Sequence, residues 1–591
     1  MRGTVLTLAA TLIGSVGAAC TGSSSSSSVA ATPGFSTVAS PSSSAASTPT
    51  PTPSSSAVAT PAVTLSAGTV TGAVDGGVEY YRGIPYAKPP TGSLRLKPPV
   101  RLESFGSIQA TGVGPACPQM TGYEITPLLL EVLLLPDAQE TLFFGTSLGD
   151  ETEDCLTISV MRPEGTAADE KLPVLFWIYG GGFEMGSSQA YDGAVLIPQS
   201  VAQGKPMILV TVNYRVGAFG FLGGSEVLAD GASNLGLLDQ RMGLEWVADN
   251  IAAFGGEPDA VTIWGESAGA MSVFDQLALY DGDNTYNGRP LFRAAIMNSG
   301  SLTPTQPIDG AKAQDIFNTV AEAAGCGSNS SKLECLRGVD YETFLNASNS
   351  VPTYLTYSSL AFNFAPRPDG KVLTASPEVL AQTGKYAKVP LIIGNQENEG
   401  TVFSLFQDLE TEESLVAYLK QVFFQSATTE EVAALVATYP SNPDSPGGIG
   451  TTITAYPEFK RLAAILGDYE FTFMSRLLLE TLPDTVSAWS YQSTYASGTP
   501  ILGTYHSTDM PRLFYKTDDV STALKALYIS FVGSVDPNSY EDATGYLTSW
   551  PQWKENKQLL EFGAKSTRLI TDDARSGSYE YVRSHLEALR V

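Results

Sequence analysis

The sequence predicts an α/β fold with a mostly parallel sheet flanked by helices. Short apolar runs recur along residues 63–591, and the stretches between them leave room for helices. Runs this short and this apolar are typical of buried parallel strands, and their spacing suits crossover helices. The runs cover residues 174–179, 207–212, 260–264, 294–297, 389–393 and 486–491.

The first nineteen residues, 1–19, have the layout of a secretory signal peptide, in which Arg2 precedes a short apolar stretch and then small residues. Secretion is therefore the expected localisation, and two N-glycosylation motifs, at Asn329 and Asn346, agree with it. The alternative is a lipoprotein leader in which Cys20, the next residue, is lipidated and anchors the protein at the cell surface.

Residues 20–62 form the next segment and consist mainly of Ser, Thr, Ala, Pro and Val. This composition buries too little apolar area to offset chain entropy, so we expect a disordered linker. Residues 63–591 contain no second segment of this kind. Their length is within reach of one elaborated α/β domain.

The charge balance excludes one class of partner. The chain has 591 residues, of which 61 are acidic and 34 basic, and its formal net charge is −27. Nucleic acids are bound through clustered Lys and Arg that displace counterions, so an acidic chain of this kind is not expected to bind them. No run of 18 or more apolar residues follows the N-terminus, so we expect no transmembrane helix in the mature protein.

Apart from the cysteine that follows the leader, four cysteines form two pairs that are close in sequence. Cys117 precedes Cys155 by 38 positions, and Cys326 precedes Cys335 by 9. In a secreted chain this arrangement predicts two disulfides, each of which closes a loop. Four free thiols are the alternative.

The sharpest local signal is the pentapeptide Gly-Glu-Ser-Ala-Gly at residues 265–269. It directly follows the predicted strand 260–264 and precedes a stretch that can begin a helix. A strand-to-helix turn of this kind holds its serine in a strained backbone conformation, and glycines are needed on both sides because larger side chains would clash. The pattern predicts Ser267 as a nucleophile, and an ordinary surface turn is the alternative.

A serine that takes up an acyl group needs backbone N–H groups aimed at the charge that develops on the carbonyl oxygen. Three glycines, residues 180–182, follow the predicted strand 174–179 and let the backbone approach a substrate closely. We predict that the N–H groups of Gly181, Gly182 and Ala268 form this oxyanion hole. A glycine-rich turn that binds nothing is the alternative.

The general base is expected to be a histidine, and the chain contains only two. His585 lies in a terminal amphipathic helical pattern, where a surface or packing role is the ordinary interpretation. His506 lies in a glycine-bearing loop beyond the last predicted strand. We therefore assign His506 as the base and, later in the reaction, the acid.

The carboxylate that orients this histidine is expected between the serine and the histidine in the chain. The predicted strand 389–393 leads into a loop, residues 394–400, that contains Glu397 and Glu399. Both side chains are within reach of an imidazole N–H from such a loop. The residues alone do not separate the two.

These features together resemble the type-B carboxylesterases and lipases, a family of α/β-hydrolases, and most closely their fungal lipases with a Gly-Gly-Gly-x loop. The matching segments are residues 82–87, 89–90, 153–156, 213–215, 234–240, 254–256 and 265–269. The resemblance implies a serine ester hydrolase, supports both cysteine pairings, and selects Glu399, because the acid of this family precedes a glycine. The chain departs from the family pattern at Tyr179, where many relatives have His, and at Asn398, where Asp is usual.

We therefore expect a secreted hydrolase of hydrophobic or lipid esters, with lipase, carboxylesterase or sterol esterase activity. Neither cofactor nor metal is implied, because two histidines without a His/Cys cluster do not make an ordinary zinc site. Residues 118–154 contain an apolar run, 128–135; in the lipases that the chain resembles this loop is a lid that contacts lipid. A helix packed permanently on the core is the alternative for this lid segment. A non-catalytic adhesion module of the same fold and an acyltransferase with the same three residues are the alternative functions.

Overall fold

A large central sheet and two small ones make up the β-structure of the computed structural model. The strands are β1 Ala62–Leu65, β2 Gly68–Thr71, β3 Ala73–Asp75, β4 Val78–Pro85, β5 Gly106–Gln109, β6 Thr157–Pro163, β7 Leu172–Ile178, β8 Ile208–Val212, β9 Gly256–Glu266, β10 Thr285–Tyr286, β11 Arg289–Pro290, β12 Ala294–Asn298, β13 Leu391–Gln396, β14 Ala488–Ser493, β15 Gln558–Phe562 and β16 Thr567–Thr571.

The central sheet has eleven strands in the order β16-β15-β14-β13-β12-β9-β7-β8-β6-β4-β3. The strands from β15 to β8 in this order are parallel, and those at the two ends are antiparallel to their neighbours. Each of the six predicted runs coincides with one parallel strand of this sheet. The predicted α/β class is therefore confirmed.

Helices connect the parallel strands and cover the sheet. They are α1 Pro127–Val132, α2 Leu196–Ala202, α3 Gly217–Phe221, α4 Ser225–Asp230, α5 Leu235–Asn250, α6 Ala268–Gly282, α7 Ala311–Ala323, α8 Lys332–Gly338, α9 Tyr341–Ser348, α10 Pro377–Gln382, α11 Glu412–Tyr418, α12 Thr429–Ala437, α13 Phe459–Gly467, α14 Phe473–Thr481, α15 Met510–Phe514, α16 Asp519–Ser534, α17 Trp553–Asn556 and α18 Ser576–Ser584. None of the helices in the described ranges is long and apolar enough to cross a membrane.

The structure describes residues 60–122, 124–135, 149–440, 454–540 and 544–591. The predicted signal peptide, Cys20 and nearly all of the predicted linker lie outside these ranges, as does part of the predicted lid segment, residues 136–148. The chain from Pro61 to Val591 forms one unit.

Aromatic side chains fill the core beneath the carboxyl ends of the central strands. Trp177 on β7 and Trp264 on β9 are fully buried, with ring centroids 4.4 Å apart. Phe514 on α15 stacks on Trp264 at 5.1 Å with an interplanar angle of 5°. The indole Nε1–H of Trp264 donates to Asn298 Oδ1 over 3.0 Å, which ties β9 to β12 close to the end of both strands.

Both cysteine pairs are joined as disulfides, Cys117 with Cys155 and Cys326 with Cys335. The first bridge closes the loop that contains α1, and the second lies next to the exposed Asn329. Asn346 is also exposed, on α9.

One buried ion pair fixes the segment after β8 to α5. The guanidinium of Arg215 donates to both carboxylate oxygens of Asp239 over 2.8 Å, and the side chains are 3% and 0% exposed. Removing one partner of such a pair leaves an uncompensated charge away from water, which costs more than the pair itself contributes.

We therefore expect Asp239→Asn to lower the free energy of unfolding by about 3 to 5 kcal/mol, measured by denaturant titration. The matched control is Glu580→Gln, which removes an exposed partner of Arg583 and is expected to cost less than about 1 kcal/mol. Equal effects of the two substitutions would contradict this interpretation.

Candidate active site

Ser267 lies on the sharp turn between β9 and α6. Its backbone has φ +57° and ψ −129°, and its N–H donates to Asn298 O over 2.9 Å. The flanking glycines leave no room for side chains, since a Cβ would lie 2.2 Å from Gly269 O at Gly265 and 2.1 Å from Ile178 O at Gly269. The side chain of Ser267 is partly exposed, whereas its neighbours in the turn are buried.

The glycine loop after β7 packs directly on this turn. A Cβ at Gly180 would lie 2.8 Å from Ser267 Cβ, and Gly181 and Gly182 have φ +112° and +63°. The N–H groups of Gly181, Gly182 and Ala268 donate to no acceptor within the described part of the chain. These three donors are therefore available to a group bound beside Ser267.

Tyr179, at the position where the resemblance implies His, is joined to Tyr214 by ring stacking and by hydrogen bonds in both directions. Their rings stack 4.3 Å apart, Tyr179 OH donates to Tyr214 O over 2.8 Å, and Tyr214 OH donates to Tyr179 O over 2.7 Å. Both side chains are completely buried. This reciprocal pair fixes the chain immediately before the glycine loop, so the departure from the family pattern keeps a defined structural role.

His506 is paired with Glu399. Nδ1 of His506 lies 2.6 Å from Glu399 Oε2, and Glu399 Oε1 accepts the N–H of Gln396 over 2.6 Å. The alternative acid, Glu397, is not joined to His506 by any bond of the described structure, and its surroundings include the charges of Glu561 and Arg575.

Asn398, the other departure from the family pattern, connects the loops of the acid and the histidine. Its N–H donates to Thr504 O over 2.8 Å, and its side-chain Oδ1 accepts the N–H of Thr504 over 2.9 Å. An amide oxygen accepts this bond as a carboxylate oxygen would. The replacement therefore preserves the connection between the two loops.

The Nε2 atom of His506 is buried and makes no hydrogen bond within the described residues, to Ser267 or to any other. It lies 3.3 Å from Glu266 Oε1, and Glu266 directly precedes Ser267. The imidazole therefore faces the serine turn with its second nitrogen not engaged by another donor. The hydrogen bond between a catalytic base and its nucleophile is often long or absent without substrate and tightens when substrate is bound.

Two aromatic rings hold the imidazole in place. The rings of Phe403 and Phe471 lie 5.0 Å and 4.8 Å from that of His506, which is 8% exposed. His585, in contrast, stacks on Tyr581 at the end of α18 and contacts Tyr581 O and Ser584 Oγ. None of these contacts is with Ser267, Glu399 or His506.

Two buried acids near the histidine were not predicted from the sequence. Glu266 accepts the hydroxyl of Ser507, and burial raises its pKa to about 7, although the charge of His506 opposes the shift. Burial also raises the pKa of Asp509 to about 6, and Asp509 Oδ2 accepts Asn298 Nδ2–H over 2.7 Å. Glu266 is the variable position of the Gly-x-Ser-x-Gly pattern, so only its place beside the serine marked it in advance.

These charges act on the imidazole together. Burial lowers the pKa of His506, but the negative charges of Glu399 and Glu266 and the bond to Glu399 outweigh burial, so the pKa lies above its usual value. No group of three or more metal-ligating side chains occurs in the ranges that the structure describes.

Comparison with known proteins places the chain in a family. Residues 59–581 match the model of the carboxylesterase family. The chain belongs to this family. This carboxylesterase is 50% identical over 545 residues to the secreted triacylglycerol lipase LIP1 of Gibberella zeae, with 90% of this chain and 91% of the relative covered. It is 43% identical to lipase 2 of Diutina rugosa over 88% of this chain and 96% of the relative.

A solved structure agrees with this assignment. Aspergillus niger EstA superposes on the carboxylesterase with a TM-score of 0.75 at 28% identity, and the match covers 90% of this chain and 99% of EstA. The fold is therefore that of the α/β-hydrolases. The protein is a secreted carboxylic-ester hydrolase.

The pairing of His506 with Glu399 predicts a measurable change in the pKa of the imidazole. Glu399→Gln removes the negative charge that stabilises the imidazolium, so the pKa of His506 should fall. The pKa is read from a pH titration of the imidazole NMR signals, and a His585→Gln background leaves one histidine to follow. An unchanged or higher pKa would contradict the electrostatic role of Glu399.

Proposed function

We propose that this carboxylesterase hydrolyses lipid esters through an acyl-enzyme on Ser267, with His506 as general base and Glu399 as its orienting acid. The observation that carries the proposal is the meeting of three features at one sheet edge: the strained serine turn, the pair His506–Glu399 and the three unengaged N–H groups. Each is a separate requirement of acyl transfer to a serine.

The proposed reaction has two halves. The Ser267 Oγ attacks the ester carbonyl while His506 Nε2 takes the hydroxyl proton, and the oxyanion receives hydrogen bonds from Gly181, Gly182 and Ala268. The C–O bond of the ester breaks, and the imidazolium gives its proton to the departing alcohol. Water then attacks the acyl-enzyme, with His506 as base again, and the fatty acid leaves as Ser267 regains its proton.

The surroundings of the site support a long apolar acyl group. Phe403 packs on His506, and Phe183 in the glycine loop packs on Phe362 with centroids 6.1 Å apart. These rings are at most 2% exposed. The names of the fungal relatives, which are lipases, point to the same substrate class.

The lid segment is proposed to contact the lipid surface. In its described part, Ile125 and Leu134 are 54% and 71% exposed, and Tyr357 on the neighbouring loop is 45% exposed. The N–H of Glu124 donates to Leu355 O over 3.0 Å, so Ile125 and Tyr357 belong to adjoining segments. Exposed apolar groups grouped in this way are typical of surfaces that bind partners or lipid.

The catalytic assignment predicts that Ser267→Ala loses about 10⁶-fold in kcat on p-nitrophenyl esters, and that His506→Gln loses a similar factor. His585→Gln is the matched control and should keep the activity of the unchanged enzyme, because its ring contacts Tyr581 and Ser584 and not the proposed catalytic residues. Substantial turnover by Ser267→Ala, or loss of activity in His585→Gln alone, would contradict the assignment.

The lipid-ester proposal predicts a preference for long acyl chains, measured as kcat/KM over p-nitrophenyl esters from acetate to palmitate. Leu134→Asp should lower activity on an emulsified long-chain ester, because the apolar contact of Leu134 with the lipid surface is lost. Activity on soluble short-chain esters should be unaffected. Leu569→Asp on β16, another exposed leucine, should have no such effect. A sharp optimum at acetate or butyrate would refute the lipid-ester proposal.

A further inference from the structure

Glu184 is a buried acid in the glycine loop to which the proposed reaction assigns no role. Its side chain is 0% exposed, and its N–H donates to Gly181 O over 3.0 Å, which closes the turn that contains Gly181 and Gly182. Its backbone oxygen accepts the N–H of Met120 over 3.0 Å, at the start of the lid segment. Two neighbouring segments therefore meet at this one residue.

The carboxylate of Glu184 reaches a third segment. Oε2 accepts the N–H of Tyr354 over 2.8 Å, and the N–H groups of Asn363 and Phe364 also face this buried carboxyl. Burial raises the pKa of this carboxyl to about 8, and the N–H groups of Tyr354, Phe364 and Asn363 and the charge of Lys312 oppose the shift. Burying an acid is costly, so an ordinary packing position would favour an apolar side chain.

The segment that Glu184 holds lies against both halves of the catalytic site. A Cβ at Gly182 would lie 2.5 Å from the ring of Tyr354, so this ring supports the oxyanion loop from the side. The ring of Tyr354 also lies 6.3 Å from that of Phe403, which packs on His506 at 5.0 Å. A displacement of Tyr354 would therefore shift both the turn that contains the oxyanion donors and Phe403, which packs on His506.

We propose that Glu184 is a positioning residue that holds the Gly181–Gly182 turn in register with the Tyr354 segment, so that the oxyanion donors are preorganised. The proposal rests on the proposed function, since it assumes that these N–H groups stabilise an oxyanion at Ser267. Glu184 does not touch the substrate in this account; it acts through the backbone of its own turn and through Tyr354.

The physical consequence follows from when the donors act. Hydrogen bonds to an oxyanion strengthen as charge develops, so a misplaced donor raises the barrier of the chemical step more than it weakens substrate binding. Loss of the oxygen that accepts the Tyr354 N–H should therefore lower kcat and leave KM nearly unchanged. It should weaken a transition-state analogue in parallel with kcat/KM.

The test measures kcat, KM and the inhibition constant of a boronic acid that forms a tetrahedral adduct with the serine. Glu184→Ala is expected to lose on the order of 10- to 100-fold in kcat and a similar factor in boronic acid affinity. The largest loss expected is the one that follows removal of a single oxyanion donor. Glu184→Gln keeps an oxygen that accepts the Tyr354 N–H and should restore most of both. Glu184→Asp, whose reach is one methylene shorter, should lose kcat in the same direction and serves if Glu184→Ala does not fold.

The matched control is Glu378→Ala, which removes another acid that is 1% exposed and is bonded to Ser376 and Arg590. It should lower thermal stability without changing kcat or boronic acid affinity. Kinetic constants within twofold of the unchanged enzyme for folded Glu184→Ala and Glu184→Asp would overturn the proposal. So would a Glu184→Gln variant that is as slow as Glu184→Ala.

Failure of the proposed function would look different. A fluorophosphonate that labels the unchanged enzyme stoichiometrically but not Ser267→Ala supports the acyl-enzyme on Ser267 whatever Glu184 does. Equal labelling of the two proteins would refute the proposed function, whereas normal labelling with unchanged Glu184 variants would refute only the role of Glu184.

Discussion

The proposed active site depends on one strained residue, Ser267, whose backbone occupies a left-handed region that is unfavourable for a side chain. The strain is maintained because the turn between β9 and α6 is tightly packed. Gly269 packs on Ile178 O so closely that the helix begins against β7, and the serine N–H is bound by Asn298 O on β12. Three neighbouring parallel strands thus fix the serine, and the first N–H of α6 is left without an intrahelical partner, as the proposed oxyanion hole requires.

The electrostatics of the site follow from burying several acids around one imidazole. Glu399 is bonded to Nδ1 of His506, and Glu266 and Asp509 lie close enough to influence its charge. Burial raises the pKa values of Glu266 and Asp509 to about 7 and 6, so these two acids are partly protonated near neutral pH. The bond between Glu399 and the backbone N–H of Gln396 keeps the orienting carboxylate directed at the imidazole.

The sequence predicts those parts whose signal is local. Six of the parallel strands contain a largely apolar run because both faces of the sheet are covered, as in β8, which is buried at every residue. The parallel strand β15, Gln558–Phe562, contains Gln and Glu and is not predicted. The antiparallel edges escape prediction because they mix polar and apolar residues; β16 is mostly exposed. The serine turn and the glycine loop are local sequence patterns. The choice between Glu397 and Glu399, in contrast, depends on the bonds that Asn398 makes to Thr504 across the sheet edge. Glu184 and Glu266 become visible only through burial, which no local pattern encodes.

The glycine loop also connects the site to the lid segment. Met120, three residues after the bridged Cys117, donates its N–H to Glu184 O, and Thr126 at the start of α1 donates its hydroxyl to Leu405 O beyond the acid loop. The segment is therefore attached on one side to the oxyanion turn and on the other to the segment that follows Glu399. The segment proposed to contact lipid is in this way bonded to the turn that contains the proposed oxyanion donors and to the segment that follows Glu399, the proposed partner of the histidine.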